Sequence, residues 1–321
     1  MPTFACPPDA LHRSWDNRLP PALVIDPGDT VTFSTVDAAD GAVEAPTWAT
    51  PRPPTRDLGT QSSIRRGHPL SGPIAIRGAG PGDVLAIEVL EIVPHDWGWT
   101  GSGDNGVLGI EVTEHSLIFW DLRGTRAVPW FAEAGRALPV RVPIRPFCGV
   151  MGVAPAEQGE FATRPPRPVG GNMDVRRLIA GSTLYLPIAV EGALFSVGDV
   201  HAAQGEGEVC GTGIECRAGV TLRFDLRRNR HLASPEFHTP EAAEVGPRYG
   251  VTGIGPDLMA AARDAIRQMI AYLQAEHDLR ANDAYILCSV AVDLVISEVV
   301  NPPNWVVTAL LPLDILTDPG Q

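Results

Sequence analysis

The chain of 321 residues contains no lysine; its 25 basic side chains are all arginine. That absence excludes whole mechanisms. A catalytic Schiff base, pyridoxal phosphate chemistry and the phosphate-binding P-loop each need a lysine amine. Amide hydrolysis by a Ser–Ser–Lys or Cys–Glu–Lys arrangement is excluded for the same reason. Positive charge is scarce altogether: 25 arginines face 38 Asp and Glu, a formal net charge of −13, which argues against nucleic acid or an anionic membrane as a partner. Long apolar runs are also missing. The longest candidate, 284–300, is broken by Asp293 and Glu298, short of the ~18 uninterrupted apolar residues of a membrane-crossing helix. The first residues carry neither a basic stretch nor an apolar one, so no secretory leader is expected. Cysteine is sparse. Cys6, Cys148, Cys210, Cys216 and Cys288 are odd in number and form no CxxC pair, which predicts reduced thiols in a cytoplasmic protein.

What is abundant is turn chemistry. The chain has 33 glycines and 31 prolines, well above the ~12 % combined share of an average protein. Apolar residues make up 44 %, enough for a sizeable core. A weak repeat organises them. Pro27-Gly28-Asp29 precedes Thr30–Phe33, Pro81-Gly82-Asp83 precedes Val84–Ile87, Gly181-Ser182 precedes Thr183–Leu186, and Gly219 precedes Val220–Phe224. In each copy a glycine supplies a turn and a β-branched run of period two follows. Turn-then-strand units without helices between them predict a mainly β protein of antiparallel sandwich or roll architecture, with a smaller α+β part. Helical periodicity appears late: Leu258, Ala262, Ala265, Ile266, Met269, Ile270 and Leu273 share a face, behind Pro256 and Asp257. One long helix is expected from Asp257 to about His277, a shorter one at 283–290 capped by Asn282, and closing strands at 294–300 and 305–311. No linker separates domains. A β-rich region 1–140 and a β-rich region 141–321 holding the α+β part are expected to interweave into one unit.

Several familiar signals fail. There is no GxSxG elbow and no HExxH motif. Gly101-Ser-Gly103-Asp-Asn-Gly106 matches GxGxxG as a string, but an expected strand at 107–112 follows where a dinucleotide site needs a helix.

Three clusters carry chemistry. The densest runs from Gly192 to Glu215 and holds Asp199, His201, Gln204, Glu206 and Glu208 among glycines. Asp199 and His201 are two apart, which places both on one face of a strand. Such a pair can chelate a divalent metal or form an acid–base couple; the alternative is a loop of solvated acids. The second is Gly170-Gly-Asn172-Met-Asp174, either a donor–acceptor site or an Asx-turn. The third is His68 before Pro69, on extended backbone at a strand entrance, as a ligand or a structural histidine.

At these segments the chain resembles the acetamidase/formamidase family of metal-dependent amide hydrolases. The matching stretches are His68-Pro-Leu-Ser-Gly-Pro-Ile, Pro146-Phe-Cys-Gly-Val-Met-Gly-Val-Ala-Pro155, Gly170–Asp174, Gly181-Ser-Thr-Leu-Tyr-Leu-Pro187, Gly192–Glu208 and Asp283-Ala-Tyr285, in the family's order from about Trp15 to Pro312. The resemblance implies a mostly β fold, hydrolysis of a short amide to carboxylate and ammonia, and a divalent metal, zinc. Two departures stand out: Cys148, where Pro or a small apolar residue is expected, and a short Pro-rich stretch around 48–54 that bears on the substrate mouth.

Amide hydrolysis must activate water, stabilise an oxyanion and protonate nitrogen. Catalytic zinc takes about three N/O ligands and keeps a position open. His68, Asp199 and His201 are the candidate ligands, with Asp174 as a fourth or supporting group. Glu208 is the candidate general base and acid, and Asn172 and Gln204 are candidates to hydrogen-bond the substrate amide. Glu111 and Glu215 are further carboxylates without an assigned role. Trp97, Trp99, Trp120 and Trp130 are candidates for a pocket wall, with core packing as the alternative. The same Asp-x-His run also fits a β-roll metal protein of binding or oxygenase type, with two His and one carboxylate around iron. Carbamates or cyclic imides would need the same chemistry as linear amides. The expected assembly is a closed homo-oligomer, a dimer by default.

Overall fold

The computed structural model describes residues 2–41, 43, 67–102, 106–108, 111, 116–132, 138–228, 230–240 and 246–315. The Pro-rich stretch around 48–54 lies outside them. Most strands join one large, predominantly antiparallel sheet of 18 strands that folds over a common core. Its spine is two long strands, Val84–Ser102 and Glu215–Arg227, paired from Arg227–Val84 to Glu215–Trp99. Along Glu215–Arg227 buried and half-buried residues alternate, as period two demands of a strand with one wet face.

Three strands differ: Leu70–Ile76, Phe147–Gly152 and Phe195–His201 are buried at every residue. They lie side by side, with Phe195–His201 in the middle, paired to both. Burial on both faces makes this the place where polar side chains are removed from water, and the candidate site sits here. The core beneath is aromatic: the rings of Phe33, Phe195 and Phe224 meet edge-on at 5.0–6.4 Å, a favourable quadrupole arrangement.

The C-terminal part packs a second core. The helix Leu258–His277 is capped by Asp257, whose side chain accepts from the Ala260 N–H at 2.8 Å. It buries Ala261, Ala265, Met269 and Leu273 at intervals of four against Tyr249, Val251 and Ala309. The strands Asp293–Glu298 and Trp305–Pro312 form the expected closing pair.

Differences from expectation have physical causes. Gly219 is no turn: it sits inside Glu215–Arg227, paired with Ser34 and Val93, so the fourth copy of the repeat is one continuous strand. The strand expected at 107–112 is absent at its described positions; Val107, Leu108 and Glu111 lie in turns, and the preceding strand ends at Ser102. The shorter helix spans Ala281–Ala291, with Arg280 at the cap and Asn282 inside it. Among the described residues, two strand pairings are parallel, Thr3–Ala5 with Thr30–Thr32 and Leu23–Ile25 with Ile74–Ile76, as is the isolated bridge between Gly207 and Glu298. Pairing crosses residue 140 repeatedly, for instance Thr30–Thr35 with 218–223 and 84–99 with 215–227.

Candidate metal centre

Four elements converge on one buried cluster. Phe195–His201 delivers Asp199 and His201, and Glu215 opens the neighbouring strand, directly opposite His201. The strand Gly170–Asn172 pairs with Val150–Gly152, so the Gly-Gly-Asn segment is a short strand and Asp174 follows it. Glu208 comes from the glycine-rich loop beyond His201. Asp174, Asp199, His201, Glu208 and Glu215 are all buried.

The side chains crowd closely. His201 Nε2 lies 3.1 Å from Glu215 Oε2, 3.4 Å from Asp199 Oδ1 and 3.9 Å from Glu208 Oε1. Yet His201 Nε2, Glu215 Oε2, Asp199 Oδ1 and Asp174 Oδ1 are buried without a hydrogen-bond partner. Two groups of three, Asp174–Asp199–His201 and His201–Glu208–Glu215, each place one ligand atom per residue within 4.8 Å of the others. Buried polar atoms without partners are costly; several converging on one point are what a cation would satisfy.

The tautomer of His201 follows from its neighbour. Gln204 lies between His201 Nδ1, 2.7 Å from Oε1, and the Asp174 carbonyl, 3.1 Å from Nε2. A carbonyl can only accept, so the amide NH2 must face it, and Oε1 must then accept from His201 Nδ1–H. This leaves Nε2 directed at the acids. Gln204 was expected to bind substrate; both ends of its amide are committed to the protein. Phe147 packs edge-on against the imidazole at 5.2 Å.

Glycines shape the floor. A Cβ at Gly149 would stand 2.6 Å from Asp174 Oδ1 and 2.8 Å from Asp199 Oδ2, and one at Gly213 would stand 2.8 Å from His201 Nδ1. Asp174, Asp199 and Glu208 themselves have left-handed backbone, φ 50°, 54° and 49°, a conformation that costs non-glycine residues energy and clusters at functional sites.

Electrostatics match the crowding. Burial pushes the carboxyls of Asp174 and Glu208 well above the usual range, and that of Glu215 up to about 7. Burial also disfavours the ionised form of Asp199, but His68 and His201 outweigh it and hold that carboxyl below the usual range. For His201, burial opposes the charge while Glu215 and Asp199 raise its pKa overall. His68 is pushed down by burial.

Of the residues expected from sequence, Asp174, Asp199, His201 and Glu208 come together. His68 flanks them, its Nδ1 3.8 Å from Asp199 Oδ2 and without a hydrogen bond, its backbone N–H held by Thr163 Oγ1 at 2.6 Å. It belongs to neither compact group of three. Asn172 is buried with Oδ1 unpartnered. Glu215 joins the cluster, whereas Glu111 sits exposed in a turn. Cys148 is buried on the strand beside the site, its thiol pushed up to about 12 by burial, which is not a nucleophile's environment. Trp99 and Trp120 are buried in core clusters, and Trp97 and Trp130 pack, partly buried, against the cluster that holds Trp99 and Phe119. Sequence reasoning missed Glu298 and Asn301. Asn301 Nδ2 donates to Asp174 Oδ2 at 3.0 Å across 127 residues, a separation no motif spans.

The model of the acetamidase/formamidase family matches residues 4–160 and 156–318. A formamidase of Methylophilus methylotrophus is 27 % identical over 372 residues, covering 95 % of this chain and 89 % of the relative. The crystal structure of an acetamidase from Bacillus halodurans superposes with a TM-score of 0.83 at 28 % identity, covering 98 % of each chain. A gamma lactamase from Delftia acidovorans is similar at a TM-score of 0.62 and 27 % identity, covering 96 % of this chain and 90 % of that one.

Proposed function

The chain belongs to the acetamidase/formamidase family, and from that premise we propose that it hydrolyses a short-chain amide to a carboxylate and ammonia at the buried cluster of Asp174, Asp199, His201, Glu208 and Glu215. The observation that carries the placement is the convergence of unpartnered carboxylate and imidazole atoms on one point. Nitrogen and oxygen donors of this kind suit zinc. Asp174, Asp199 and His201 would hold it, with Glu215 on the other side of His201 and His68 at the flank. A bound divalent cation supplies Lewis-acid polarisation of the amide carbonyl and lowers the pKa of water.

The remaining roles belong to side chains. Gln204 holds His201 in the tautomer that leaves Nε2 available, the usual task of a group behind a metal-binding histidine. Glu208 accepts the proton of the attacking water and delivers it to the departing nitrogen, which leaves as ammonia. The unpartnered Oδ1 of Asn172 is an acceptor for the substrate N–H. The five free cysteines support the cytoplasmic reading, and a closed homodimer is the assembly we expect, to be checked by native mass.

The test is ammonia release over a panel of formamide, acetamide and longer amides, with bound metal quantified on the same sample. Metal-free, chelator-treated protein is expected to release no ammonia; undiminished activity without metal would overturn the metal-assisted route. His201→Ala is expected to lose both metal and turnover. Glu208→Gln should retain metal and lose at least about 100-fold in kcat, the scale of general acid–base catalysis; a normal kcat would remove Glu208 from the chemistry. Similarity to a gamma lactamase favours one second substrate class, cyclic amides, and a γ-lactam belongs in the panel. No ring-opening there, with ammonia from linear amides, would exclude it.

A further inference from the structure

The C-terminal layer reaches into the cluster at one point. Glu298 ends the strand Asp293–Glu298 and is fully buried. Its Oε1 accepts the backbone N–H groups of both Val300 and Asn301. Those bonds fold the chain back after the strand and present the Asn301 side chain to Asp174, where Nδ2 donates to Oδ2 at 3.0 Å. Oδ1 of Asp174 has no partner and borders the space over Gly149. The backbone of Asp174 is fixed separately: Gln204 donates to its carbonyl at 3.1 Å. The adjoining loop is tied to the same strand by Gly207 N–H, which donates to the Ser297 carbonyl at 3.2 Å.

A carboxylate turns about its terminal bond over a broad, two-fold profile and can present either oxygen. A donor fixed on one oxygen removes that freedom and aims the other. We propose that Asn301 is a positioning residue that holds Oδ2 of Asp174 so that Oδ1 faces the metal, with Glu298 anchoring Asn301 from behind. The C-terminal segment thereby tunes the affinity of a site whose other side chains come from residues 172–215. This inference rests on the metal reading above. Partners behind metal ligands typically cost about 10- to 100-fold in affinity when removed, and the loss expected here is of that size.

The experiment is a zinc titration of the full chain against a chelating dye, with the melting temperature of the metal-free protein measured alongside. Asn301→Leu keeps the approximate shape and removes the donor. Its zinc Kd is expected to weaken about 10- to 100-fold. Asn301→Asp, which sets an acceptor against Asp174 Oδ2, is expected to weaken it at least as much and serves if the leucine variant fails to fold. An Asn301 with a merely structural role would lower the apo melting temperature and leave the zinc Kd unchanged. That result in a folded variant overturns the proposal. Wild-type protein that binds no zinc fails one step earlier: it overturns the metal reading and this inference with it, and is distinguished from the first failure by the wild-type curve alone.

Discussion

The site's acids sit on unusual backbone. Asp174, Asp199 and Glu208 share left-handed φ near 50°, at a cost of the order of 1 kcal/mol or more each. The spacing of Asp199 and His201 suggested a shared strand face, and the two do converge. The left-handed turn at Asp199 interrupts regular alternation, so the convergence is a property of the local kink and not of period two alone. Gly149 is the matching constraint from the opposite strand. Gly149→Ala places a Cβ 2.6 Å from Asp174 Oδ1 and 2.8 Å from Asp199 Oδ2; we expect loss of most bound metal and of turnover while the circular dichroism spectrum stays that of a folded β protein. A variant with full metal content would show that the cradle is wider than its geometry implies. The thiols give a second check. Cys6, Cys148, Cys216 and Cys288 are buried and Cys210 is partly exposed, so a thiol reagent should titrate one cysteine in the native protein and five after denaturation.

At the scale of elements, the long helix was legible because its apolar period, its Asp257 cap and its proline-led start agree. What periodicity could not show is how closely it approaches the sheet. A Cβ at Gly253 would lie 2.0 Å from the Ala261 carbonyl oxygen and 2.3 Å from the Ala265 nitrogen, backbone atoms that cannot step aside. Gly253 and the small helix residues Ala261 and Ala265 are therefore one contact. Gly253→Val should destabilise by about 3 kcal/mol or more through overpacking, read as a lower denaturation midpoint. If it melts like the wild type, the helix is not seated on that strand. The strands split similarly. Those with one wet face, such as Glu215–Arg227, show alternation in sequence; Phe147–Gly152, buried on both faces, does not, and its segment entered the sequence reading only through the family resemblance.

For the whole molecule, the proposed metal site predicts a stability that depends on metal. Without a cation the cluster leaves several polar atoms unpaired, and a cation that binds only the folded chain stabilises it by mass action, about 2.7 kcal/mol at a free concentration 100 times Kd. The melting temperature should therefore rise with free zinc, by about 5 °C over that range, and the effect should vanish in His201→Ala. A melting temperature independent of zinc in the wild type would count against a metal within the folded core.

The sequence by itself determined the class of the molecule: the missing lysine excluded two established routes to amide hydrolysis, turn-and-strand punctuation specified antiparallel β structure, and the segments from His68 to Glu208 carried the family. Local signals do this because turns, caps and short motifs act within a few residues. Only the tertiary structure decided which of these side chains come together. It displaced His68 to the flank, brought in Glu215, turned Gln204 from substrate to His201, and set Asn301 against Asp174 across 127 residues. Those are distances between strands, and chain spacing carries no information about them until register and backbone kinks are fixed.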